Sequence, residues 1–191
     1  MHFANWKKEL LTIPNLLSLF RLVLIPVYVT IYLNATDSSH YLIAGAILAV
    51  SCLTDMIDGK IARKFNMIST VGKILDPIAD KATQFTLIVC LTVKHPILWG
   101  LVILFVIKEG FQLVAGLLTL RQGKILDGAL ISGKISTTIL FLSLIVMILI
   151  PDLNPNTVMW ITVLCAVVMG VAFAEYFWQY FRKKDKIHEI D

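Results

Sequence analysis

Apolar residues in this chain come in blocks of about twenty, separated by short polar breaks. An α-helix needs about that length to cross the roughly 30 Å hydrocarbon core of a bilayer. Six blocks can be drawn, over residues 13–33, 41–61, 73–93, 97–119, 133–150 and 156–179. The predicted fold is an all-α polytopic membrane bundle of about six transmembrane helices, because lipid leaves no partner for unpaired backbone groups. These blocks use up most of the chain, so a single membrane domain over 1–191 is expected. Residues 1–11, with Trp6 and Lys7-Lys8, read as a short interfacial helix, and 181–191 as a basic cytoplasmic tail.

Composition agrees: 58% of residues are hydrophobic, 16% are charged, and the mean hydropathy is +0.81. The first block is too long for a signal peptide and contains Arg21, so it counts as the first span. Lys60, Arg63, Lys64, Lys73, Arg121, Lys124, Lys134 and the Arg182–Lys186 run all fall on one side of a six-span model, whereas the opposite loops hold only Lys94. By the positive-inside rule, both termini and the loop between the second and third spans face the cytoplasm, which predicts a multi-pass protein of the cytoplasmic membrane. The net charge of +4 is then a topology signal plus attraction to anionic lipid, with no case for nucleic acid as a partner. Cys52, Cys90 and Cys165 lie inside apolar spans without metal-ligand spacing, and the four histidines are scattered over loops and termini. The run Tyr176, Phe177, Trp178, Tyr180, Phe181 reads as an interfacial aromatic belt.

Four aspartates break the apolar pattern: Asp55, Asp58, Asp76 and Asp80. An ionised aspartate at the centre of a membrane helix costs about 2.5–3.5 kcal/mol on insertion scales, so a group of four needs a shared compensation. Asp55 and Asp58 are three residues apart and Asp76 and Asp80 four, so each pair projects from one helix face. Two such faces opposed make a carboxylate cage, and hard divalent cations neutralise it best, which points to a binuclear metal site at the membrane's edge. Such a site suits displacement at phosphorus. Gly59 and Ala62 keep the second span slim beside it, Arg63 is suited to fork onto phosphate oxygens, and Gly72 relieves crowding at the entry to the third span. Pro77 removes a backbone donor and is expected to open the helix locally. An EF-hand is excluded by the ligand interval.

The whole run, Asp55-x2-Asp58-Gly59-x2-Ala62-Arg63-x8-Gly72-x3-Asp76-x3-Asp80, resembles the signature of the CDP-alcohol phosphotransferase family, with every position filled. Ile13-Pro14-Asn15-Leu16 through Arg21, and Gly72 through Lys81, are similar to that family's phosphatidylglycerophosphate synthase and cardiolipin synthase branches. The resemblance implies transfer of a phosphatidyl group from CDP-diacylglycerol to an alcohol hydroxyl with release of CMP. It implies two divalent cations, Mg2+ or Mn2+, held by Asp55, Asp58, Asp76 and Asp80, with Asp80 also the general base on the acceptor and a metal-bound water as the alternative base. Asp55, Gly59, Ala62 and Arg63 would contact the CDP moiety. A homodimer in the lipid bilayer is the expected assembly.

Glycerol 3-phosphate is the expected acceptor, its phosphate met by Lys108, Arg121, Lys134 and Arg21. Lys108 and Glu109 have a second reading, as a pair that satisfies itself. An arginine two turns into the first span needs a partner, either a substrate phosphate or the aspartate site. The sequence departs from the synthase pattern at Ile107-Lys108-Glu109-Gly110, where Ala-Arg-Glu-Phe is usual, and at Gly116, where a further arginine falls. Phosphatidylglycerol as acceptor, hence cardiolipin synthesis, therefore stays open. Two other classes place carboxylates in membranes: intramembrane prenyltransferases, which are longer, and cation transporters, which show two related halves, whereas no second aspartate pattern follows residue 100 here.

Overall fold

A computed structural model describes residues 12–64, 72–121 and 131–188. The expected interfacial helix at 1–11, Lys124 and the last three residues of the tail lie outside the described residues. Among the described residues six long helices follow one another: α1 (Ile13–Leu33), α2 (Ser38–Lys64), α3 (Gly72–Thr92), α4 (Trp99–Arg121), α5 (Ile131–Leu149) and α6 (Pro155–His188), with a 3-10 turn at Pro96–Leu98 before α4. The described residues contain no strand. The predicted blocks correspond to these helices, but α2 begins three residues earlier and α6 runs nine residues further, because polar ends extend a helix past its apolar core.

Local chemistry explains the ends. Pro14 sits in the first turn of α1, where no backbone donor is needed. Asn34 ends that helix, its Nδ2 donating to the Thr30 carbonyl at 2.7 Å. Asp37 caps α2: its Oδ1 accepts from Ser39 Oγ at 2.7 Å and from the His40 backbone N–H at 3.1 Å. These donors, with the His40 ring, hold the Asp37 carboxyl down at about 2. Asn154 caps α6, its Oδ1 accepting from the Asn156 N–H at 2.9 Å, and Pro155 opens the helix. Pro77 does not break α3, which runs unbroken through it. So near the helix start, proline forfeits one bond without ending the ladder.

Among the described residues, four segments are long and apolar enough to cross a membrane: Ile13–Leu33, Pro96–Gly116, Ile131–Leu149 and Pro155–Arg182. The other two helices, α2 and α3, carry the aspartates, and α2 adds a shorter apolar stretch at Ser38–Thr54. Val23, Leu113, Ile131 and Trp160 are 60% exposed or more. Lipid covers such side chains at no cost, so this is the expected surface of a membrane helix.

The chain divides into two compact units. In the first, α1 to Cys90 of α3 are joined by Ile148–Pro151. Ala44, Leu48, Ala79, Leu87 and Ile88 are among its most buried residues, and Gly45 allows Leu149 to lie against α2, where a Cβ would come within 2.5 Å of Leu149 Cδ2. The second unit holds Leu91–Met147 and Asp152 onward, with Leu98, Leu101, Leu140, Leu144, Val158 and Met169 buried. Lys94 Nζ lies 3.4 Å from Asp152 Oδ1, so the turn before α4 and the turn before α6 share one end of this unit, as alternate spans require. The aromatic run on α6 does not face outward as a uniform belt. Phe177 and Tyr180 pack with Phe173 around Phe111 of α4, at centroid distances of 5.4–5.8 Å from it, while Trp178 is 68% exposed. Cys90 and Cys165 are buried, as small core residues should be.

Candidate active site

The site begins with an anomaly in α1. Asn15, Ser18 and Arg21 recur at intervals of three and are 1%, 0% and 2% exposed in an otherwise apolar helix. Burying an arginine demands a charged partner. Arg21 finds Asp80 of α3: its Nη1 donates to Asp80 Oδ1. One turn away Ser18 Oγ donates to Asp76 Oδ1, and it also lies 3.1 Å from the Pro14 carbonyl. Residue numbers rise together in the two contacts, so α1 and α3 run parallel, as the first and third of consecutive spans must.

Asp76 and Asp80 stand one turn apart on α3, with the fully buried Ala79 between them. Asp80 keeps 43% of its side chain exposed while Arg21 keeps 3%. The carboxylates therefore border an open face and are tethered from the protein side. Asp55, Asp58, Gly59, Ala62 and Arg63 lie in the last ten residues of α2, whose backbone is helical to Lys64. Helical register puts Asp55, Asp58 and Ala62 on one stripe. Their side chains lie outside the described part of the structure, as does that of Arg121.

Among the described residues no group of three or more metal-ligating side chains gathers. The pair that is described fits a hard divalent cation in its chemistry: two oxygen donors from successive turns of one helix, half-accessible and already oriented by hydrogen bonds.

The basic residues expected at the acceptor divide between the units. Arg21 belongs to the first, and its guanidinium is on Asp80. Lys108 and Lys134 belong to the second. Lys108 is 2% exposed, and its Nζ donates to Glu109 Oε1 at 2.7 Å, an ion pair between chain neighbours. Lys134 is exposed on the first turn of α5, where Thr138 Oγ1 donates to its carbonyl at 2.9 Å. Next to it, Gly133 is covered by Tyr176 of α6. Sequence reasoning missed Ser18. The signal was present in the three-residue spacing of Asn15, Ser18 and Arg21, but a serine alone in an apolar span costs little and attracts no notice.

Fold and site define an α-helical membrane protein whose third helix carries a carboxylate face held from the first. Residues 11–171 match the sequence model described as CDP-alcohol phosphatidyltransferase, and the chain belongs to that family. The family generally uses divalent metals and acts on CDP-alcohol substrates in a membrane setting. A Mycobacterium tuberculosis protein named "Probable phosphatidylglycerophosphate synthase" is 29% identical over 165 residues, covering 85% of this chain and 78% of the relative. The CDP-diacylglycerol–glycerol-3-phosphate 3-phosphatidyltransferase of Rickettsia bellii is 31% identical over 180 residues, 88% of this chain and 97% of the relative. A cardiolipin synthase (CMP-forming) of Streptomyces coelicolor is 33% identical over 117 residues, 60% of this chain and 54% of the relative.

Proposed function

We propose that this chain, acting as one catalytic membrane domain, transfers the phosphatidyl group of CDP-diacylglycerol to a hydroxyl of glycerol 3-phosphate. The products are phosphatidylglycerophosphate and CMP. The observation that carries this reading is the complete signature from Asp55 to Asp80, with Asp76 and Asp80 side by side on the open face of α3. Relatives in Rickettsia bellii and Pseudomonas fluorescens bear the name of this activity.

Asp55, Asp58, Asp76 and Asp80 hold two divalent cations, Mg2+ or Mn2+. When bound, these neutralise the diphosphate and polarise the phosphorus under attack. Gly59 and Ala62 leave room for the CDP moiety against α2, and Arg63 forks onto its phosphate oxygens. Asp80 takes the proton of the acceptor hydroxyl as that oxygen bonds to the phosphatidyl phosphorus. The bond from this phosphorus to the CMP oxygen breaks, and CMP leaves with the electron pair. The sequence assigns the acceptor's phosphate to Lys108, Lys134, Arg121 and Arg21; because the Arg21 guanidinium is engaged by Asp80, we leave that role to the other three. The excess of Lys and Arg in the loops on one side supports a cytoplasmic active site with both termini on that side.

A second reading has specific support. Lys108 is tied to Glu109, and Gly116 stands where a further arginine would serve a phosphorylated acceptor. Phosphatidylglycerol as acceptor, giving cardiolipin, needs less positive charge there. The test is CMP release by purified protein with CDP-diacylglycerol and Mg2+, with glycerol 3-phosphate and phosphatidylglycerol offered separately. Release with glycerol 3-phosphate alone supports the first reading and release with phosphatidylglycerol alone the second. Silence with both overturns phosphatidyl transfer to either acceptor.

A further inference from the structure

Ser18 and Arg21 meet Asp76 and Asp80 in register, one turn apart on each helix, and all four residues lie in the same compact unit. We propose that Ser18 and Arg21 are positioning residues, which fix the side chains of Asp76 and Asp80 so that both carboxylates face the cation and the acceptor hydroxyl together. The inference rests on the phosphatidyl-transfer reading of this site.

Three observations separate positioning from simple satisfaction of a buried arginine. Ser18 has no charge to neutralise, yet it is fully buried and donates to a carboxylate, so its contribution is direction. Arg21 is buried at its own end while Asp80 is nearly half-exposed, so the contact reaches outward from the core to a carboxylate on the open face. Both contacts come from α1 onto carboxylates one turn apart on α3, so the pair is held from the same side. Arg21 reaches the Asp80 oxygen through Nη1 on a rigid planar head, whose direction the flexible ammonium of a lysine does not reproduce. Loss of about 1 Å of placement costs on the order of a hundredfold in rate. An Arg21 that served the acceptor phosphate would instead show itself in the acceptor KM alone.

The experiment uses the full chain in detergent micelles: wild type, Ser18→Ala and Arg21→Lys. Mn2+ binding is read by electron paramagnetic resonance without substrate, CMP release is measured against each substrate, and thermal unfolding checks the fold. Expected is an Arg21→Lys protein that unfolds near the wild-type temperature, with Mn2+ bound several-fold more weakly. Its kcat falls roughly a hundredfold, and both KM values change by less than about twofold. Ser18→Ala moves in the same direction by about tenfold in kcat. Wild-type Mn2+ affinity and kcat in both variants overturn the inference, and so does a rise confined to the glycerol 3-phosphate KM in Arg21→Lys. If wild type binds Mn2+ but releases no CMP, the transfer reading fails while the Mn2+ arm still decides. Weakened binding in the variants then sustains the positioning role, and unchanged binding removes it.

Discussion

Replacing Gly133 with alanine sets two known effects against each other at a place the structure defines closely. A Cβ at this position would lie 2.9 Å from Tyr176 Oη and 3.0 Å from Tyr176 Cε2, whereas ordinary contact begins at 3.4 Å. The tyrosine ring must retreat by about half an ångström, and overpacking of this kind costs about 1–3 kcal/mol. Alanine in a helix is favoured over glycine by up to about 1 kcal/mol. The net expectation is destabilisation by about 1 kcal/mol. In a Tyr176→Ala background the obstruction is gone, so the same Gly133→Ala change should become neutral or stabilising by up to about 1 kcal/mol. The assay is a double-mutant cycle read by thermal or SDS-induced unfolding of the purified protein in micelles. A coupling near zero, with Gly133→Ala behaving alike in both backgrounds, would refute the claim that close approach of α5 and α6 requires this glycine.

Asp76→Asn and Asp80→Asn should each cut CMP release about a hundredfold or more with little change in unfolding temperature, and a variant retaining most of its activity would remove that residue from the site. Lys134→Ala should raise the KM for glycerol 3-phosphate well above its effect on CDP-diacylglycerol; equal changes in both count against a phosphate contact. At the start of α2, the hydrogen bonds from Ser39 and His40 hold Asp37 at about 2, below its ordinary value of 3.8. A depressed carboxyl contributes stability above its unfolded value and loses it as pH falls through the folded one. The cap should therefore stay intact to about pH 3 and fray below that, and an NMR titration of Asp37 with its midpoint near 4 would contradict the cap geometry.

What could be read along the chain was whatever depends on local composition. Lipid demands long apolar helices, so six blocks announced six helices, and the spacing from Asp55 to Asp80 marked a candidate carboxylate site because charges in such sequence are costly. What could not be read was rotation. In a membrane bundle apolar side chains suit lipid and protein alike, so a pattern such as that of α1 does not mark which face packs inward. The fold turned Asn15, Ser18 and Arg21 toward the interior and so brought Ser18 and Arg21 onto aspartates 58 and 59 residues away. It also set the Lys108 ammonium against Glu109, and turned part of the α6 aromatic run onto Phe111. Those choices are set by contacts between helices far apart in sequence, and they exist only once the helices are packed.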